Sequence, residues 1–307
     1  MVRDSLGDRM KAYYEEIPKI KLMRRTPVII RIDGKAFHTF TRGMQKPFDA
    51  ILIKTMQETT KYLCENIQGC VLGYTQSDEI SLVLIDYQKL ETSAWFDYEV
   101  QKMCSIAASM ATMAFNKYFT SHIHMIMTHL HCMNPEDEWF DKQILKENYG
   151  FTDEDFESDS EFFEKRLERY QKVIGSAMFD ARCFNIPKEE VTNYIYWRQL
   201  DATRNSIQMV GQANFSHNEL QNKSCNDIQD MLMTQKGINW NDFPAYLKRG
   251  TAVFKNGITV NRNNKMEEIA LHNPEFCSRD WIIDLDMPQL KGENRDYVER
   301  LIKVWQE

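Results

Sequence analysis

The sequence predicts an α+β fold built on one antiparallel sheet, and three observations support this. First, "PVIIRID" at 27–33 is a short β-branched run between breakers, the mark of a buried strand. Second, two apolar runs, "GCVLGYTQ" and "ISLVLIDY", flank a polar "SDE" at 77–79, as in a hairpin. Third, segments with helical period separate these strands. The resulting order is strand, helix, hairpin, helix, strand: the ferredoxin-like βαββαβ arrangement, with helices on one sheet face and a free face for a ligand.

Each element has its own signal. In "KPFDAILIKTMQETTKYLCENIQG", Asp49 is placed to cap a helix. Leu52, Met56, Leu63 and Ile67 recur at helical spacing, and Gly69 lies just past the end. A long Ala- and Met-rich helix is expected over about 95–119, with Trp95, Val100, Met103, Ile106, Met110 and Ala114 on a broad apolar face. "HIHMIMTHLH" at 122–131 reads as the closing strand. Ser216 and Glu219 form a capping box, and "TAVFKNGITVNR" reads as a late hairpin turning at Asn256-Gly257. This is also the plan of polymerase palm domains and nucleotide cyclases.

Composition is that of a globular chain, with 43% hydrophobic and 27% charged residues. No run approaches the roughly 18 apolar residues of a membrane span, and the start lacks a signal-peptide core. Seven cysteines without a CxxC pair suggest reduced thiols and a cytoplasmic setting. The net charge of −7 would argue against a nucleic-acid partner if it were evenly spread. Residues 134–169 carry −8 of it, which leaves the rest near +1. The chain thus divides into a palm-like core (1–133), an acidic insertion (134–178) read as a surface element, and a remainder (179–307). Within this last part, helices are expected to dominate from 197 onward.

Asp33 ends a strand and Asp78 sits at a hairpin turn. Carboxylates from neighbouring strands suit Mg²⁺, which prefers oxygen ligands and shares them with phosphates. The Gly34 carbonyl would add a third oxygen. The amides of Lys35 to His38 would form a turn able to cradle a triphosphate, with Lys46 and Ser77 nearby. The same residues also fit an ordinary Asp-Gly turn and a solvated hairpin acid. His122, His124, His129, His131 and Cys132 alternate between two strand faces, so they read as core or surface histidines rather than a zinc site. Lys19, Lys21, Arg24 and Arg25 read as a solvated basic cluster with a possible RNA role.

"IRIDGKAFHTFTRG" followed by "KPFD", then "YTQSDEISLVL", "FDAR" and "YWRQLDATRNS", resembles the tRNA(His) guanylyltransferase family and its like-protein branch of 3′-to-5′ nucleotide-adding enzymes. The resemblance covers about 1–125 and 179–260. It implies two Mg²⁺ ions on Asp33, the Gly34 carbonyl and Asp78, with Glu79 as a further catalytic candidate. It implies nucleotide binding by Asp33, Gly34, Lys35, Ala36, Phe37, His38, Lys46, Ser77 and Asp78. Arg31, Lys102 and Arg182 match basic residues of an activation step. Arg198, Arg204 and Asn205 are the RNA-contact candidates. The implied partners are tRNA, ATP and GTP or other nucleoside triphosphates, and further copies of the chain in a homo-tetramer. Thr203 stands where guanylyltransferases of eukaryotes carry a histidine tied to tRNA(His) recognition. That favours template-dependent repair of tRNA 5′ ends over addition of a G at position −1. A non-catalytic RNA-binding module and a palm-type cyclase are the alternative functions.

Overall fold

A computed structural model describes residues 5–131, 138–151, 161–255 and 280–303. Six strands form a single sheet in the order β4-β1-β3-β2-β5-β6, with antiparallel neighbours throughout. They are β1 (Val28–Gly34), β2 (Cys70–Gln76), β3 (Glu79–Leu84), β4 (Phe179–Asn185), β5 (Thr251–Lys255) and β6 (Trp281–Asp284). The first four strands and two crossing helices give βαββαβ, and β5 and β6 extend the sheet beyond β2.

The helices, in chain order, begin with α1 (Ser5–Met10), which buries no side chain, and α2 (Phe37–Phe40). Next come α3 (Ala50–Asn66), α4 (Val100–His131), α5 (Glu138–Tyr149) and α6 (Glu161–Val173). After β4 follow α7 (Val191–Asn214), α8 (His217–Leu220), α9 (Cys225–Lys236), α10 (Ala245–Arg249) and α11 (Asp296–Glu299). Asp49 caps α3 by accepting from the Leu52 amide at 3.0 Å, and the Ser216–Glu219 capping box starts α8.

The closing strand is β4 rather than 122–131, which instead continues α4. The apolar positions explain this. Phe115, Phe119, Ile123 and Ile126 are buried at spacings of four, four and three, so the buried stripe keeps the helical period while the histidines break it only in appearance. At the other end, α4 starts at Val100. Trp95–Tyr98 is a separate 3₁₀ turn, in which Phe96 and Asp97 take left-handed backbone angles. The Asn256-Gly257 turn lies outside the described residues, and β5 finds its partner in β6.

Alternation splits β1 between two cores. Val28, Ile30 and Ile32 point to the α3/α4 side, where Leu145, Tyr149, Tyr170 and Val173 of the acidic insertion join the same apolar cluster. Ile29 points to the opposite face. That face was expected to be free. It is partly covered by Val191, Tyr194 and Ile195 of α7 and by Met287, Leu290, Tyr297 and Val298 near the C-terminus.

Candidate active site

The site forms where β1 ends against the β2–β3 turn. Asp33 lies opposite Glu79 in β3 and opposite Asp180 in β4, so the three share one sheet face. Ser77 and Asp78 make the two-residue turn, with Ser77 at a left-handed φ of 50°; Glu79 already belongs to β3. The Gly34 amide donates to the Asp78 carbonyl at 3.1 Å, which ties the two motifs together. Ser77 Oγ donates to Asp78 Oδ1 at 3.1 Å. Burial raises the pKa of the Asp78 carboxyl above its ordinary value, and the neighbouring charge of Asp33 raises it further.

Gly34 is dictated by packing. A Cβ there would come within 2.3 Å of the Phe37 ring. Phe37 in turn stacks on Phe40 at 4.9 Å and meets Phe179 and Phe115 at 5.1 and 5.4 Å. This aromatic anchor holds the turn through Lys35 and Ala36. The Lys35 amide is engaged by the Met178 carbonyl at 2.9 Å, so it does not join the expected cradle. Phe37 and His38 open α2, and first-turn amides have no acceptor within their own helix.

A cleft of roughly 620 Å³ opens beside this turn. Its walls include Gly34, Ala36, Phe37, His38, Lys46, Ser77 and Asp78, all expected from sequence. Thr41 to Gln45, Pro47, Asp49 and Leu52, and Met209 and Gln212 from α7, also line it and were not expected, whereas Asp33 and Lys35 are not among its walls. No local signal marks the α7 pair, because they reach the cleft only once α7 crosses the sheet. Asn205 lines a smaller adjoining pocket with Gln76 and Ser77.

The loop is held from outside by the acidic insertion. Arg169 of α6 donates through Nη2 to the carbonyls of Thr39 at 2.8 Å and Phe40 at 3.0 Å, and through Nε to that of Arg42. Tyr170 donates its hydroxyl to Asp49, which also accepts the Gln45 amide at 3.0 Å. The described helices of the insertion, expected as a surface element, are therefore packed against the cleft loop and the core.

The charged candidates are distributed unevenly. Glu79 is buried between two guanidinium groups. Arg31 Nη2 and Arg198 Nη2 donate to its Oε2 at 2.6 and 2.7 Å, and Arg198 Nε lies 2.7 Å from Oε1. Burial raises the Glu79 pKa, and the two guanidinium groups oppose that shift. Arg198 is 3% exposed and also pairs with Asp201 at 2.8 Å, so it cannot touch RNA from this position. That expectation is corrected: the side chain is a strut between α7 and the sheet. Arg204 remains exposed and pairs with Asp201. Arg31 and Arg182 are cross-strand partners on the same face, whereas Lys102 sits on α4 across the sheet, its ammonium 4.7 Å from the Phe96 ring. Thr203 donates to the Lys248 carbonyl at 3.1 Å, joining α7 to α10.

Other clusters are internally satisfied. Arg24 pairs with Asp86 at 2.6 Å, Lys21 with Asp97 and Lys19 with Glu15 at 3.8 Å. His122 is buried in α4, 2.9 Å from Glu58 and 3.2 Å from Tyr149. Among the described residues no three His, Cys, Asp or Glu side chains converge as a metal-binding group. Asp33 and Asp78 nevertheless suit a hard divalent cation. They are oxygen donors, their like charges oppose each other, and Asp78 lines the open cleft. Further oxygens would have to come from backbone and phosphates.

No helix among the described residues is long and apolar enough to cross a membrane. Comparison with known proteins gives consistent results. The family model described as "Thg1: tRNAHis guanylyltransferase" matches residues 7–187. The chain is similar to a bacterial tRNA(His) guanylyltransferase-like protein solved in complex with ATP. Identity is 38% over 98% of this chain and 100% of that one, with a TM-score of 0.70. A bacterial like-protein structure with GTP is 34% identical over 98% and 100% of the two chains, with a TM-score of 0.62. The tRNA(His) guanylyltransferase of Saccharomyces cerevisiae is 23% identical over 77% of this chain and 85% of its own length. The chain therefore belongs to the tRNA(His) guanylyltransferase family, and it is a nucleotidyltransferase.

Proposed function

We propose that this chain is an Mg²⁺-dependent 3′-to-5′ nucleotidyltransferase that restores missing nucleotides at tRNA 5′ ends against the opposite strand as template. The observation that carries this reading is the meeting of the Asp33-Gly34 and Ser77-Asp78 motifs at the Gly34–Asp78 bond, beside the cleft lined by Gly34, Ala36 to His38, Lys46 and Asp78. The ATP and GTP complexes of the bacterial relatives support a triphosphate as occupant.

The chemistry has two displacements. A 5′-monophosphate on the RNA attacks the α-phosphate of ATP or GTP; pyrophosphate leaves, and the end becomes nucleotidylylated. The 3′-hydroxyl of the incoming triphosphate then attacks that phosphate, and the nucleoside monophosphate leaves. A 5′-triphosphorylated end needs no activation and releases pyrophosphate. Asp33, Asp78 and the Gly34 carbonyl would hold two Mg²⁺ ions, which supply charge neutralisation and a lowered hydroxyl pKa. The Phe37 and His38 amides and Lys46 orient the triphosphate. Arg31 and Arg182 face the 5′ phosphate, with Glu79 fixing Arg31 in place. Positioning of this kind carries most of the catalysis in phosphoryl transfer. Arg204 and Asn205 remain the RNA-contact candidates on α7. Base pairing chooses the nucleotide, and Thr203 supports repair over dedicated guanylylation. A homo-tetramer fits the N-terminal segment, where Tyr13, Tyr14, Ile17 and Ile20 are all more than 60% exposed. Five described cysteines are free thiols, in keeping with a cytoplasmic setting.

One gel tests the reading. A 5′-truncated, 5′-monophosphorylated tRNA is incubated with Mg²⁺, ATP and single labelled nucleotides, beside the Asp78→Ala protein. Extension only by the complementary nucleotide, absent in Asp78→Ala, is the expected result. Addition of G opposite any base would replace repair with guanylylation, and no incorporation at all would defeat the enzyme reading.

A further inference from the structure

Trp197 is unlike the other aromatic residues near the site. It lies on α7 with 51% of its surface exposed, although its neighbours Tyr194 and Arg198 are buried. An exposed indole has little reason to be immobile, yet this one is held on several sides. The Arg198 guanidinium lies 4.4 Å from the ring centroid, that of Arg31 lies 5.9 Å away, and the Tyr194 ring is 5.9 Å off. Those neighbours are themselves fixed. Both arginines are ion-paired with buried Glu79, and the Tyr194 hydroxyl lies 3.0 Å from Ser81 Oγ. Arg31 also has Arg182 as its cross-strand partner on the same face. Arg182 is exposed and, among the described residues, pairs with exposed Asp180, a contact that yields easily to a stronger anion. A held, half-open π surface thus stands beside Arg31, whose cross-strand partner is Arg182 and which lies two residues from Asp33 on β1.

We propose that Trp197 is a stacking platform for the base of a 5′-phosphorylated nucleotide whose phosphate lies against Arg31 and Arg182. The platform is sequence-tolerant, because every base has a π face. This suits a site that must accept many 5′ ends or a free nucleotide. Two sources present the same chemistry: the terminal nucleotide of the RNA, and the adenosine of an activating ATP. The inference rests on the nucleotidyltransferase reading for its ligand class, and its test is a binding measurement that needs no turnover.

Equilibrium binding of ATP and of a 5′-monophosphorylated RNA hairpin is measured for wild type, Trp197→Leu and Trp197→Phe. Trp197→Leu keeps the bulk and loses the ring; Trp197→Phe keeps a ring. The expected result is that Trp197→Leu weakens one ligand roughly tenfold, as loss of one stacked base does, and that Trp197→Phe restores most of it. Loss confined to the hairpin identifies the RNA terminus, and loss confined to ATP identifies the activating nucleotide. Unchanged affinity for both in Trp197→Leu overturns the proposal. So does a failure of Trp197→Phe to restore binding, or an equal loss for both ligands, which would indicate a displaced α7. Wild-type protein that binds these ligands but does not extend RNA defeats the function reading while leaving the role of Trp197 decided.

Discussion

At the residue scale, the site stores electrostatic conflict. Asp78 is half-buried at a turn with the Asp33 charge close by, and both factors raise its pKa above 3.8. A carboxyl with a folded pKa above its unfolded value binds its proton more tightly in the folded state. Stability therefore falls as pH rises from the unfolded value through the folded one, and at neutral pH the ionised group is a net cost. In metal-free protein, Asp78→Asn should raise Tm by roughly 1–3 °C and abolish nucleotide incorporation, as removal of functional-site strain does. Calorimetry in the presence of a chelator checks this; a lower Tm would show that the charges are not opposed. Glu79 differs in its partners. Burial raises its pKa as well, but two guanidinium groups oppose that shift, so the sequence motif combines one acid beside a like charge with one acid between two cations. The motif alone showed two adjacent acids of equal standing. Which of them faces the cleft followed from strand alternation and from arginines up to 119 residues distant in sequence.

At the element scale, the cleft loop depends on a helix supplied by the insertion. Arg169 donates to three carbonyls of α2 and its following turn, those of Thr39, Phe40 and Arg42, and Tyr170 braces Asp49. A planar guanidinium suits such a fork of acceptors better than lysine would. Arg169→Met should therefore leave the far-UV spectrum unchanged. It should lower incorporation roughly tenfold to a hundredfold, mainly through a higher KM for the triphosphate, because small displacements of positioning groups are costly. Steady-state kinetics with a saturating RNA checks this. A fall in kcat with KM unchanged would mean that the loop is not what Arg169 positions. Acid-rich composition suggested a solvated appendage, and its exposed face is charged; the reading missed a few apolar residues, Leu145, Tyr149 and Tyr170, that tie it into the core. The closing strand shows a similar limit. Alternating His and Ile over 122–126 imitates period two, but burial of Ile123 and Ile126 keeps α4 helical, and β4 pairs with β1 instead.

At the scale of the whole molecule, folding and ion binding are separable. The sheet is sandwiched between two apolar clusters, so among the described residues the core is held by apolar packing on both faces. Mg²⁺ should therefore act as a ligand of the folded state. At a hundredfold excess over its Kd it would add about 2.7 kcal/mol, a Tm rise on the order of 5 °C for wild type and none for Asp78→Ala. A chelator should abolish incorporation with the far-UV spectrum intact; loss of the spectrum would make the metal structural. The sequence by itself determined what depends on neighbours in the chain: the strands from their β-branched runs, the α3 cap at Asp49, the βαββ order, and the two motifs that form the turn. Tertiary structure decided what depends on which faces meet. It buried Arg198, brought Met209 and Gln212 to the cleft, covered part of the face expected to be open, and left Trp197 half exposed beside Arg31. These outcomes follow from how α7 crosses the sheet, and local periodicity carries no information about a crossing between elements more than a hundred residues apart.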